Sequence, residues 1–159
     1  MTKGWVAAVL GLVACADDAP APEMDQPCWI DTVIATELAG VTPLDCGHLD
    51  IGSDDARFIA AHDCAVAAHA AHAPFLVRWE IQGIDSHVVG AYLGRPKGGT
   101  WTITSFGYDS YAPGGAIRAR TGSDTCADLV DRGACGIDLH QTLCLECAAP
   151  IASTYCPPR

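Results

Sequence analysis

Cations are scarce in this chain, aromatic residues are few, and no apolar run is long enough to span a bilayer. Of 159 residues only 9 are Lys or Arg, against 19 Asp or Glu, giving a net charge of −10 with histidine neutral. That sign excludes the usual modes of binding nucleic acid or anionic lipid, which depend on clustered cations. Solvation is the simplest role for so much acid. The longest apolar stretch, Trp5 to Ala14, falls well short of the ~20 residues a spanning helix requires. Motifs of catalysis are missing too. There is no GxSxG nucleophile turn, no Walker phosphate loop, no GxGxxG fingerprint and no HExxH metal helix. The glycine pairs Gly98-Gly99 and Gly114-Gly115 sit at expected turns, where backbone freedom alone accounts for them.

What the chain does have is cysteine, nine of them, an odd number. Cys15 stands apart. It closes the apolar run that begins behind a single basic residue, Lys3. The remaining set, Cys28, Cys46, Cys64, Cys126, Cys135, Cys144, Cys147 and Cys156, is even and able to pair completely. An even set in an exported chain implies a disulfide framework. Eight cysteines allow about 105 pairings, and spacing does not choose among them. One local bridge is expected: Cys46 precedes a helix that carries Cys64, so Cys46–Cys64 would pin that helix to its incoming loop.

Residues 1–14 have the parts of a secretory signal, with a basic start, an apolar stretch and small residues near the cut. Leu12-Val13-Ala14-Cys15 resembles the lipobox of bacterial lipoproteins. In that family the cysteine thiol receives a diacylglyceryl group, the leader is cut just before it, and the new amino group takes a fatty acyl chain such as palmitate. The resemblance implies a mature chain from Cys15 to Arg159, anchored to a membrane through lipid. Loss of Lys3 takes the net charge from −10 to −11. Aspartate directly after the cysteine marks inner-membrane retention in many Gram-negative lipoproteins. Ala16 stands there instead, so the resemblance implies the outer membrane of a Gram-negative cell. The alternative is an ordinary secretory leader cut near Ala16, with Cys15 discarded.

Residues 15–27 are rich in Ala, Pro and acid, and read as a flexible tether. Residues 28–159 are enough for one domain with its own core. Ile30 to Ala39 is expected to be a short helix or strand, followed by a loop through Pro43, Asp45, Cys46 and Gly47. The alanine-rich stretch from Asp54 to about Ala73 is a helix, with Ser53 as its cap and Pro74 as its stop. Beyond Pro74 the apolar period becomes two, at Phe75, Val77, Trp79 and Ile81. Further strands are expected at His87–Leu93, Thr100–Tyr108 and Ala116–Thr121, joined by the turns Gly83–Ser86, Arg95–Gly99 and Asp109–Gly115. Short connections make neighbours antiparallel. A short helix capped by Asp124 or Thr125 would run to Asp131, and the rest would be stapled loops. The expected fold class is α+β, one helix packed on a four-stranded antiparallel meander with a disulfide-rich C-terminal tail. Phe75, Val77, Trp79, Ile81, Val89, Ala91, Leu93, Trp101, Ile103, Ile117 and Ala119 would face the helix. The domain also resembles, loosely, small exported bacterial domains of uncertain role that combine a Cys-Gly loop (Cys46-Gly47), a cysteine-bearing helix (Cys64) and a meander (Phe75 to Thr121).

Candidate sites are three. The open sheet face would show Arg78, Glu80, Tyr92, Thr102, Thr104, Arg118 and Arg120. Of these, Arg78, Tyr92, Arg118 and Arg120 are the expected binding residues, because Arg and Tyr favour interaction hot spots. The partner would be an envelope protein or polysaccharide. His62, His69 and His72 form a helical stripe about 80° wide. His69 and His72 would share a metal, with His48 or Asp63 as a third ligand. The cysteine tail with His140 would be the other metal site. Solvated histidines and disulfides are the simpler readings, so no cofactor and no metal are expected. Asp85, Ser86 and His87 are adjacent on the chain and do not converge as a triad must. The function expected is therefore a lipid-anchored envelope protein with a structural or binding role and no catalysis. An envelope inhibitor or ligand-binding module and a metal-binding protein are the alternatives.

Overall fold

A computed structural model describes residues 28–83, 86–109, 120–133 and 143–154. The expected signal (residues 1–14), Cys15 as the expected lipid site, the expected tether, the Asp109–Gly115 turn beyond Asp109, and Arg118 lie outside these residues. Among the described residues the chain is α+β, with two helices and a six-stranded sheet, and two disulfides join described cysteines.

Helix α1 (Ile30–Glu37) is short and follows an extended Trp29 that provides no side-chain cap. Asp31 in its first turn suits the positive end of the helix dipole and accepts from Trp29 Nε1 at 2.7 Å. Ile30, Val33, Ile34 and Glu37 fall three or four apart and form its buried stripe. Strand β1 (Leu44–Leu49) comes next, where a loop was expected. Helix α2 (Asp55–Ala70) then crosses back, and Asp54, not Ser53, is its cap, accepting from the Arg57 amide at 2.9 Å. The Ser53 hydroxyl is turned instead to Asp50, 2.8 Å away. Phe58, Ala61, Ala65 and Ala68 make the buried stripe of α2, and three small residues let the helix lie close to the sheet. The helix closes in a Schellman arrangement, with His72 N–H on the His69 carbonyl and Ala73 N–H on the Ala68 carbonyl. His72 takes the left-handed position there, φ +49°, usually given to glycine.

Strands β2 (Phe75–Gln82), β3 (His87–Lys97), β4 (Thr100–Asp109) and β5 (Arg120–Cys126) form the antiparallel meander. Its fourth strand therefore continues to Cys126. The helix expected up to Asp131 is instead the end of β5 followed by β6 (Asp128–Asp131). Strand β6 pairs with β7 (Leu145–Ala148) as a separate two-stranded ribbon, and β8 (Ile151–Thr154) adds to β5. The large sheet has the order β1-β2-β3-β4-β5-β8, with β1 parallel to β2 across the α2 crossover.

Both faces of this sheet are covered, which corrects the single-layer expectation. One face carries α2 and the β6–β7 ribbon over Phe75, Val77, Trp79, Tyr92 and Ile103. The other carries α1 over Val89, Ala91, Leu93, Phe106 and Tyr108. Strand β3 thus has the opposite phase from the one expected. Val77 stands opposite Tyr92, and Leu76 opposite Leu93. Residues on one face of an antiparallel pair lie directly across from each other, so Val89, Ala91 and Leu93 belong with Leu76 and not with Val77. Two glycines make this phase possible. A Cβ on Gly90 would lie 2.3 Å from the Trp79 ring, and one on Gly94 would lie 2.3 Å from Phe75. Both large rings are seated in notches in β3.

Ion pairs hold α1 to its face. Asp31 pairs with Arg78 of β2, and Glu37 pairs with Arg95 and Lys97 of β3. The Glu37–Arg95 pair is buried, its side chains 8% and 10% exposed. On the other face Cys46–Cys64 joins β1 to α2, and Cys126–Cys147 joins the end of β5 to the ribbon.

Candidate functional site

Among the described residues the expected binding face is not an open surface. Arg78 lies beneath α1, bonded to Asp31. Tyr92 lies on the opposite face, 6% exposed, and its hydroxyl donates to the Leu145 carbonyl at 2.9 Å. Burial raises the Tyr92 phenol above its ordinary value, and a hydrogen bond with Ser105 opposes that in part. Thr104 is buried as well. The reason is the phase of β3 together with the presence of α1. Alternation placed Tyr92 with Arg78, whereas pairing places it with Val77. Arg118 and the side chain of Arg120 lie outside the described residues.

The six described cysteines are all disulfide-bonded. Cys46 bonds Cys64, the pair expected from the sequence, although Cys46 is on strand β1 rather than in a loop. Cys126 bonds Cys147. Cys28 and Cys144 are disulfide-bonded too. Cys144 and Cys147 are therefore not bonded to each other, so this CxxC pair is not a dithiol couple, and a bonded sulfur offers no thiolate to zinc. Cys135, Cys156 and His140 lie outside the described residues.

The densest chemistry lies where the α2 histidines meet the ribbon. His62 Nδ1 is 3.0 Å from Asp63 Oδ1, and its Nε2 is 3.1 Å from Asp131 Oδ1. His69 Nε2 is 2.8 Å from Asp128 Oδ1, and Trp101 Nε1 donates to His69 Nδ1 at 3.2 Å. His72 stacks on Trp101, ring centres 5.1 Å apart and planes 19° apart. The hydrogen bond from His69, joined by the Leu129 amide, holds the Asp128 carboxyl below its usual range. The Gly133 amide, joined by His62, does the same for Asp131.

This geometry decides what the histidines can do. Both nitrogens of His69 are occupied, one by a carboxylate and one by an indole N–H, so a metal shared with His72 would have to displace one of these contacts. Among the described residues no group of three His, Cys, Asp or Glu is arranged to hold a metal ion. Asp128, His69 and Trp101 form a linear relay of the kind that activates nucleophiles. Its third member is an indole, which donates a proton bond and does not attack. His48 sits elsewhere, 3.2 Å from Glu80, and the other oxygen of Glu80 is 3.3 Å from His87. His87 thus lies in a polar cluster with Glu80 and His48 on β1, β2 and β3, and Asp85 lies outside the described residues.

Asp128 and Asp131 were missed as partners of the stripe because they were read as part of a helix, and no local pattern joins them to residues nearly sixty positions or more upstream. Among the described residues no helix is long and apolar enough to cross a membrane. No protein-family model matches the chain, and neither a curated protein nor a solved structure shows significant similarity to it.

Proposed function

We propose that the chain is a lipid-anchored cell-envelope protein, held through Cys15 and displaying a disulfide-stabilised domain on the tether of residues 15–27. Its role is structural or in binding, without catalysis. The observation that supports this most is the disulfide state of the described cysteines: Cys46–Cys64, Cys126–Cys147, and bonded Cys28 and Cys144. Such bonds persist in oxidising compartments and not in the ordinary cytosol. The lipobox-like Leu12-Val13-Ala14-Cys15 supplies the anchor, since two or more acyl chains hold stably where one does not. The outer membrane of a Gram-negative cell is the location we favour. An envelope protein or polysaccharide would bind the loops and edges, because α1 already occupies the sheet face first considered for it.

The test is the intact mass of the protein extracted from membranes of its own host, before and after reduction with alkylation. A mass of Cys15–Arg159 plus acyl groups is expected, with all eight other cysteines alkylated only after reduction. An unlipidated mass with thiols free before reduction overturns the reading.

A further inference from the structure

Helix α1 does not hold itself together. It has eight residues, fewer than the ~12–15 that an isolated helix needs. Five of the eight are β-branched, Ile30, Thr32, Val33, Ile34 and Thr36, and such side chains lose rotamer freedom in a helix. No side chain caps its start, and no cation stands in its last turn. The sheet is what keeps it. Ile30, Val33 and Ile34 share a core with Val89, Ala91, Leu93 and Phe106, while Asp31 and Glu37 pair with Arg78, Arg95 and Lys97. Helix α1 is also the first described element after the residues expected to be a tether. A pull arriving from that side would break its contacts one after another rather than together. It would leave the apolar face of β3 and β4 bare.

Cys28 stands where that pull enters, directly before Trp29 and α1. It is disulfide-bonded, and its carbonyl accepts from the Thr121 hydroxyl of β5. Its partner follows by elimination. Cys46 is taken by Cys64, and Cys126 by Cys147. Thr121 is opposite Tyr108 on the sheet face that α1 covers. Cys144 lies between Leu143 and Leu145, which pack on the other face with α2. A disulfide joins Cα atoms about 4.4–6.8 Å apart, less than the ~10 Å from a sheet to one layer packed on it. So Cys28 and Cys144 have different partners. Cys15, Cys135 and Cys156 remain. A lipidated Cys15 is a thioether with no thiol to offer, which leaves Cys135 or Cys156. Both come after β6 in the chain. Either bond closes a covalent ring that contains α1, β1, α2 and β2 through β6.

We propose that Cys28 is the load point of the domain: its disulfide to Cys135 or Cys156 carries a pull on the preceding chain into the C-terminal part and leaves α1 out of the path. The choice of partner rests on the lipid proposed at Cys15. The bond forms by exchange with a disulfide oxidant of an oxidising compartment, which takes two electrons and two protons from the two thiols and leaves as a dithiol.

Two measurements test this. The first digests the protein, extracted unreduced from its own host, and weighs its linked peptides and the peptide bearing Cys15. A Cys28 peptide joined to one bearing Cys135 or Cys156 is expected. A free Cys28 thiol, or a bond to Cys15 or Cys144, overturns the proposal. Should Cys15 carry no lipid while Cys28 still pairs with Cys135 or Cys156, the anchor fails and the load point stands. The second measurement pulls single molecules between a handle in place of the lipid at residue 15 and another fused after Arg159. With the bridges intact, only chain outside the ring should straighten. Cys28→Ser, its released partner thiol alkylated, should add an early step of about 50 Å, the extended length of residues 28–43. Should Cys28→Ser not fold, reductant added to the wild type under low load should produce the same first step. That step with bridges intact, or its absence once the Cys28 bond is gone, overturns the load path.

Discussion

Replacing Gly90 by alanine tests the phase of the whole sheet with one methyl group. Gly90 lies opposite Trp79, and a Cβ placed on it would come within 2.3 Å of one ring atom and 2.4 Å of another. Trp79 has nowhere to go. It is 5% exposed, and the Tyr92 ring lies 5.3 Å from it, centre to centre. Overpacking of this kind costs about 1–3 kcal/mol, and contact with a ring rather than a flexible chain end places it at the upper end. Against that, alanine reduces the freedom of the unfolded chain, a gain of about 0.4–1 kcal/mol where the backbone tolerates it. The difference is a net loss of about 2 kcal/mol. With an m value of about 1–2 kcal/mol per molar, the urea midpoint should fall by about 1–2 M. Gly107→Ala is the control, because a Cβ there meets nothing within 4 Å. Trimming the ring in the double variant Gly90→Ala/Trp79→Leu should restore part of the loss beyond additivity. A neutral or stabilising Gly90→Ala would mean that Trp79 does not cover this position, and the phase of β3 against β2 would be wrong.

Two further outcomes follow from the ion pairs. Glu37→Ala should cost about 3 kcal/mol by leaving Arg95 charged and buried, read as a urea midpoint; replacing both by apolar residues should recover most of it, and a single-variant loss near zero would refute the pairing. The depressed carboxyls of Asp128 and Asp131 contribute stability that is complete above their unfolded values, near pH ~4, and is lost as pH falls through their lower folded values. Wild-type urea midpoints should therefore fall below that pH more steeply than those of Asp128→Asn/Asp131→Asn, and coincident curves would refute the contribution.

The parts of the fold that were legible in the sequence are those with one dry face and one wet one. Phe75-Leu76-Val77-Arg78-Trp79-Glu80 alternates, and it is β2. The alanine-rich run before Pro74 is α2. Strand β1 was not legible, because Asp45-Cys46-Gly47-His48 has no β-branched residue and its partner is reached only across a helix. The phase of β3 was hidden for a different reason. Val89 to Leu93 is buried on both faces, so alternation carries no information. Gly90 and Gly94 carried the missing signal, but only for a reader who already had Trp79 and Phe75 across from them. The same holds at the candidate site. The histidine stripe and the Cys46–Cys64 bridge are local to α2 and its approach, and were found; the aspartates that answer the histidines come from β6, which the capping residues Asp124 and Thr125 disguised as a helix start.

With both faces of the large sheet occupied, its free backbone groups are confined to its rims. Among the described residues β1 and β8 each have a strand on one side only. The two rims are unlike, so a second copy that joined its β1 to the first copy's β8 would leave the same two rims open again. Such head-to-tail growth runs on as a fibre unless the rotation between copies closes it into a ring. The chain blunts both ends of that path. The register of β1 shifts between Asp45 and His48, and β8 is four residues long. Ile151, 71% exposed on β8, is where this protection against sideways polymerisation is thinnest.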